Sequence, residues 1–452
     1  MPGATLSRWT MSYFAAACLM LVAGQGLMVA GYGFPFADIS APETLVVVHL
    51  VAIGWLSLLM AGALLQFVPV LIARHVVGGS FAAPALLLLL GGLSSLVGGF
   101  VALSGSLDLP LALLPVGGMM LVAGFGLFAG ILAVTLLSAR PLSLPARFVA
   151  TGLCSLVGTV LIGSAFTAAL SGLAESPLFD RLVANGVELH AILGLGGWLS
   201  VTAVGVSYRL FSMFLLAPEV ERSTGRAVWW GASLAVGLVA VAVFFVLSGF
   251  FGAALLFAAA LLLTLVAVML YGADILLIYR RRKRKQAELN IRASFAALGL
   301  FALSILFLNL PAFRAGDMVA AVVYLFVFGW LTGLGLAQLY KIVAFLTWLE
   351  AYGPVLGRAP VPRVQDLVDE RHAFILFRIY YGAVVVATLS LAAGTSDFFR
   401  MAVAAQLFAT LCLIREFIRA RRLSIVPAAL LAPAGMVRPH LFLPLSAFQG
   451  DK

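Results

Sequence analysis

Two histidines, His49 and His190, stand near the starts of long apolar stretches in a 452-residue chain that holds five histidines in all. A neutral imidazole offers a nitrogen lone pair to a haem iron or a copper ion, so a pair from neighbouring helices at one depth would make a single haem or metal site. The plainer alternative is that each ring hydrogen-bonds a backbone carbonyl. A second polar group lies further along the same stretches: Gln66, Arg209 and Lys341, with Tyr208 and Tyr340 beside two of them and Asp274 as a candidate counter-charge. Uncompensated charge inside a membrane is costly, which makes such residues functional candidates. Together they suit an anion, a haem propionate-like group or a file of water, whereas Arg209 alone can also snorkel to the headgroups.

Both groups are positioned by one recurring stretch. Gly54-Trp55-Leu56-Ser57 returns as Gly197-Trp198-Leu199-Ser200 and as Gly329-Trp330-Leu331-Thr332, which predicts three structural repeats. Seven residues after each tryptophan comes a small residue (Gly62, Gly205, Ala337), and eleven after comes the long polar one (Gln66, Arg209, Lys341). At about 100° per residue these offsets fall within roughly 20° of the tryptophan, so each copy is one stripe of one helix. His49 precedes its tryptophan by six residues and His190 by eight. That difference puts them on different sides of the stripe unless the run Gly194-Leu195-Gly196-Gly197 absorbs it in a bulge.

With 63% hydrophobic and 10% charged residues, the chain has too little polar surface to enclose a soluble core. The expectation is an all-α polytopic membrane protein. Apolar runs able to cross a hydrocarbon core of about 30 Å predict twelve transmembrane helices, at about 9–31, 45–72, 81–105, 108–138, 148–174, 187–217, 227–248, 250–279, 293–313, 318–348, 372–394 and 398–418. The tryptophan helix is the second of each group of four. This predicts one membrane domain over 1–418, built as three four-helix repeats (about 1–140, 141–285 and 286–418) with pseudo-threefold symmetry, and a tail over 419–452.

Lysine and arginine gather on alternate loops: Arg74, Arg140, Arg147, Arg222, Arg226, the run Arg280 to Lys285, Arg358 and Arg363, together with the tail. The opposite loops carry Asp38, Glu43, Asp108, Glu175, Asp180 and Glu188, with Arg181, Arg314 and Arg400 as cations. The positive-inside rule then places both termini in the cytoplasm, in a bacterial inner (plasma) membrane. A net charge of +10 is therefore read as topology rather than nucleic-acid binding. The partners expected are the lipid bilayer and a redox or other membrane protein, with no nucleic acid.

The first span follows Arg8 and lacks a small-residue cleavage site, so it is expected to be retained. Cys18, Cys154 and Cys412 show neither disulfide pairing nor a haem-attachment spacing, so any haem would be non-covalent. Gly91-Gly92, Gly98-Gly99, Gly126 and Gly130 are expected to let helices approach closely. The connection over 349–371 reads as a surface loop with a short helix. The tail, with Pro427, Pro433, Pro439 and Pro444, reads as an irregular surface segment.

Twelve spans in three groups of four, with the marked helices second in each, resemble subunit I of the haem-copper oxidase superfamily, which includes nitric oxide reductases. His49-Leu50 looks like the helix that supplies a low-spin haem ligand, and His190-Ala191 like the helix that supplies an active-site copper ligand. Gly62-Ala63-Leu64-Leu65-Gln66 and Tyr340-Lys341-Ile342-Val343 look like divergent single-subunit relatives. The seventh span, however, lacks the family's histidine pair. The tenth has none, and Tyr324 stands at the position equivalent to His49. A full haem-copper centre cannot be assembled, which argues against proton-pumping oxygen reduction. The resemblance implies one site for haem b or copper, or none, serving electron transfer, nitric oxide handling or metal delivery. The alternative is a non-redox transporter or assembly factor using the Arg209, Lys341 and tyrosine path.

Overall fold

The structure is a computed structural model that describes residues 9–218, 223–314, 316–431, 433 and 435–442. Arg8, Arg222 and Pro444, assigned above to the basic side and the tail, lie outside them. Among the described residues twelve helices are long and apolar enough to cross a membrane: α1 (Thr10–Ala30), α2 (Pro42–Ile72), α3 (Gly79–Leu103), α4 (Leu113–Leu137), α5 (Leu144–Leu170), α6 (Val187–Leu215), α7 (Ser223–Ser248), α8 (Ala253–Arg280), α9 (Leu289–Asn309), α10 (Met318–Val355), α11 (Glu370–Ala392) and α12 (Ser396–Arg421).

Several begin away from the expected place. α5 starts four residues earlier because Pro145 sits in its first turn, where the missing N–H costs nothing. α4 starts five residues later, after Pro110 and a short turn. α9 also starts four residues early, at Leu289, and this brings Glu288 to the edge of the bundle.

The centre belongs to α2, α6 and α10. In their cores 67%, 67% and 78% of residues are buried, against 17% in α7 and α8, which face outward. Within each group of four the third and fourth helices pack extensively along each other, α3 with α4, α7 with α8 and α11 with α12, as do the first helix and the central second one. The fourth then packs on the first of the next group, α4 on α5, α8 on α9 and α12 on α1, which closes a ring around the three central helices.

Glycine makes one of these pairings close. A Cβ on Gly117 would lie 2.7 Å from the Leu96 nitrogen, and one on Gly92 would lie 3.0 Å from the Leu121 nitrogen, so the backbones of α3 and α4 touch as only small residues allow. Gly126 and Gly130 do not serve this purpose. They are exposed with open space around them, and Gly124 makes the close approach, its Cβ position 3.0 Å from Leu89 Cδ2.

All three central helices widen to i→i+5 hydrogen bonding at the repeated tetrapeptide, over Leu50–Ser57, Ile192–Val201 and Leu325–Thr332. The sequence reading expected a bulge only in the Gly194–Gly197 run. The widened turn is stabilised by its own hydroxyls: Ser57 Oγ donates to the Ala52 carbonyl (2.9 Å) and Ser200 Oγ to that of Leu195 (2.8 Å), each five residues back. The π segment of α6 has ten residues where the other two have eight. One of its two additional residues precedes Trp198 and the other follows it, so the widening takes up one of the two additional residues between His190 and its tryptophan.

On the basic face α10 ends in a short 3₁₀ turn over Gly353–Val355 and is followed by another over Val364–Leu367. The start of the tail is not loose there, since Leu423 and Val426 are buried against Ala344 and Tyr352.

Candidate functional site

The three tryptophans are buried to 1% exposure or less and each indole N–H crosses to the next central helix. Trp55 Nε1 donates to Thr332 Oγ1 at 3.0 Å, Trp330 Nε1 to Ser200 Oγ at 3.1 Å, and Trp198 Nε1 to Ser57 Oγ at 3.1 Å. The three bonds form a closed cycle. Each uses the hydroxyl two residues after a tryptophan, so the fourth residue of the tetrapeptide is the acceptor that its chemistry requires. A buried indole N–H needs such a partner. These hydroxyls tie α2, α6 and α10 together at one level.

His49 is the last α-helical residue before the π segment of α2. Its Nδ1 lies 2.7 Å from the Leu45 carbonyl, which makes Nδ1 the protonated nitrogen and leaves the lone pair on Nε2. The Phe100 ring of α3 packs 5.0 Å from it. His190 stands at the start of α6, with Ala191 between it and the π segment. Phe166 meets it edge-on at 5.7 Å, and a Cβ on Gly163 would lie 3.1 Å from its Cε1. The Thr159 carbonyl is also close to the ring, yet Nδ1 is buried with no hydrogen-bond partner. The two imidazoles are within electrostatic reach of each other. Among the described residues no three His, Cys, Asp or Glu side chains converge as a metal-ligand set, so any ion here would rest on two imidazoles.

The polar residues of the basic half fall into two neighbourhoods. In the first, Asp274, 2% exposed, accepts from Tyr208 Oη at 3.0 Å and from Thr224 Oγ1 at 2.7 Å. Ser207 and Tyr271 share a 2.5 Å hydroxyl contact beside it. In the second, Lys341 Nζ pairs with Glu288 Oε2 at 2.6 Å, and Arg284 holds the other oxygen of that carboxylate. Tyr340 lies within electrostatic reach of Glu370 and Glu416.

Glu288 was missed from sequence because it stood outside the expected ninth span. Its spacing of four from Arg284 was the available signal. Glu416, 1% exposed, was missed because the twelfth span was read as an apolar run. It accepts from His372 Nδ1 at 3.2 Å and from Arg419 at 2.9 Å.

An apolar cavity of about 100 Å³ opens between α6, α7, α8 and α10, with Ser200, Thr264 and Tyr271 as its hydroxyls and no histidine in its wall. Cofactor ligation therefore has to be judged at the His49–His190 pair itself. No protein-family model and no curated protein matches the chain.

Proposed function

We propose that this chain is a haem-copper-oxidase-like membrane protein, three four-helix repeats about a pseudo-threefold axis, that binds one redox metal through His49 and His190. The repeat is supported by the closed tryptophan cycle and by the same helix pairings in each group of four. Metal binding is supported by one observation above all: His190 Nδ1 is buried without a partner beside a second imidazole whose Nδ1–H is already committed to a carbonyl. A buried acceptor left unmet costs about 1–3 kcal/mol, which a bound ion would offset.

Of the two candidate groups, copper fits the surroundings better than haem. Phe100 and Phe166 pack against the imidazoles at 5.0 and 5.7 Å, so a porphyrin would have to displace both rings while a single ion need not. A copper ion bound here would supply one-electron transfer or be delivered onward. In either role the chain packs Phe100 and Phe166 against the imidazoles, fixes the His49 tautomer through Leu45, and holds His190 in place against Gly163. With the basic face cytoplasmic, the pair lies in the periplasmic half of an inner membrane. Because two imidazoles cannot complete an oxygen-reducing centre, the reading is electron transfer, nitric oxide handling or metal delivery rather than oxidase turnover.

Metal analysis and visible spectroscopy of protein purified from copper-supplemented and haem-replete cells test this. About one equivalent of metal, lost in His49→Ala and in His190→Ala but kept in His75→Ala, is the expected result. Metal-free wild-type protein under both conditions overturns it.

A further inference from the structure

The ring of outer helices closes where α12 meets α1, and at that seam the packing leaves an apolar crevice of about 330 Å³. Phe14 and Cys18 of α1, Val343 of α10, and Leu411 and Ile418 of α12 form its walls. It runs from Met11 to Val22 on α1, roughly 16 Å of helix, which is half of a hydrocarbon core of about 30 Å. The acyl chains of one leaflet reach to that depth. Leu19 and Leu411, 62% and 46% exposed, stand at its rims, so the crevice opens sideways to the bilayer.

Its basic-face end is shut. Leu441 and Phe442 of the tail form the floor, and three helices fix the tail there. Ser12 Oγ of α1 donates to the Phe442 carbonyl at 2.6 Å, the Arg421 guanidinium of α12 donates to the His440 carbonyl, and Glu350 of α10 accepts from the His440 N–H at 3.3 Å. Arg421 also pairs with Glu350 at 2.5 Å, so its charge is neutralised within the protein. The floor bars a water-soluble ligand from the basic face, whereas a membrane lipid enters sideways between α1 and α12. Two cations remain for such a lipid. On α12, Leu411, Arg415, Ile418 and Arg422 fall within roughly 60° of one another, so both arginines share the stripe that walls the crevice. Both are exposed, and long basic side chains near a helix end extend to the headgroups. The nearby acids are engaged, Glu416 by His372 and Arg419 and Glu350 by Arg421, which leaves Arg415 and Arg422 without an acidic partner among the described residues.

We propose that the crevice holds one acyl chain of an anionic phospholipid from the basic-face leaflet, with the lipid phosphate paired to Arg415 and Arg422. The walls select the chain, because interiors are close-packed and an apolar space of this size beside lipid is filled by what the bilayer supplies. The arginines select the headgroup, since basic residues at the membrane surface attract anionic lipid. The bound lipid completes the seam at which the first and last membrane helices meet. This inference is independent of metal binding.

The test titrates delipidated protein in mixed micelles with phosphatidylglycerol or with phosphatidylethanolamine and counts retained lipid by native mass spectrometry. Wild type should hold one phosphatidylglycerol per chain and prefer it to phosphatidylethanolamine. Arg415→Gln combined with Arg422→Gln should weaken phosphatidylglycerol roughly 30-fold, about fivefold for each arginine, and leave phosphatidylethanolamine unchanged. Arg281→Gln, which removes an exposed cation elsewhere on the basic face, should change neither. Ala15→Phe places a ring in the crevice wall and should abolish retention of both lipids. Glycerophosphoglycerol, the same headgroup without chains, should not compete. No retained lipid, equal affinity for the two lipids, an undiminished preference in the double arginine variant, retention in folded Ala15→Phe protein, or competition by the chain-free headgroup overturns the proposal. Should the added ring prevent folding, the double arginine variant, altered only at exposed side chains, decides the case by itself.

Discussion

Ser57→Ala should destabilise the bundle far more than its one-atom change suggests. The Ser57 hydroxyl accepts from Trp198 Nε1 and donates to the Ala52 carbonyl, and both the serine and the indole are buried. Alanine strands the Trp198 N–H, while the Ala52 carbonyl keeps the backbone bond of the widened turn, so the expected loss is about 1–3 kcal/mol. Ser200→Ala should cost the same, because Ser200 accepts from Trp330 and donates to the Leu195 carbonyl. Thr332→Ser keeps the acceptor for Trp55 and should cost only the lost methyl, about 1 kcal/mol. Reversible denaturant unfolding in mixed micelles, followed by tryptophan fluorescence, measures all three. A double-mutant cycle of Trp198→Phe with Ser57→Ala should give a coupling of about 1 kcal/mol, and one of Trp198→Phe with Thr332→Val close to none. A loss below about 0.5 kcal/mol for either serine, the range of ordinary surface changes, would refute the view that the cycle holds the three central helices together.

Other consequences can be checked separately. Gly163→Val should lower metal occupancy while the protein still folds, because even a Cβ there would lie 3.1 Å from His190 Cε1; unchanged metal content would show that the ring position is not critical. Glu288→Gln should cost about 3 kcal/mol, since it strands the nearly buried Lys341, whereas Lys341→Met leaves Glu288 with Arg284 and should cost about 1 kcal/mol or less. Unfolding measurements that rank the two the other way round would contradict this. Reporter fusions after Arg281 and after Glu175 should report cytoplasm and periplasm respectively, and the reverse would invert the assigned topology.

The twelve helices and the inward face of α2, α6 and α10 were legible because apolar length and a stripe at helical spacing are local signals. The tetrapeptide also marked the residues of the tryptophan cycle. The hydrogen bonds themselves were not legible, because each joins residues 130 or more positions apart. The π turns were foreseen only where glycines suggested them, since the serine bond to a carbonyl five residues back has no composition signal. His49 and His190 were found from their rarity inside apolar runs. The Lys341 partner was not, because α9 starts four residues before its expected place and hydropathy cannot place an end so finely. Gln25, Gln406 and Glu416 carry no signal in the sequence beyond interrupting apolar segments, and it is their burial that distinguishes them.

The proposed metal site is tested most directly by X-ray absorption at the copper edge on copper-loaded wild-type protein and on the double His49→Ala, His190→Ala variant. The account predicts two imidazole nitrogens with no sulfur scatterer in the first, and no bound copper in the second. Sulfur ligation by Cys18, Cys154 or Cys412, or copper retained after both substitutions, would contradict it.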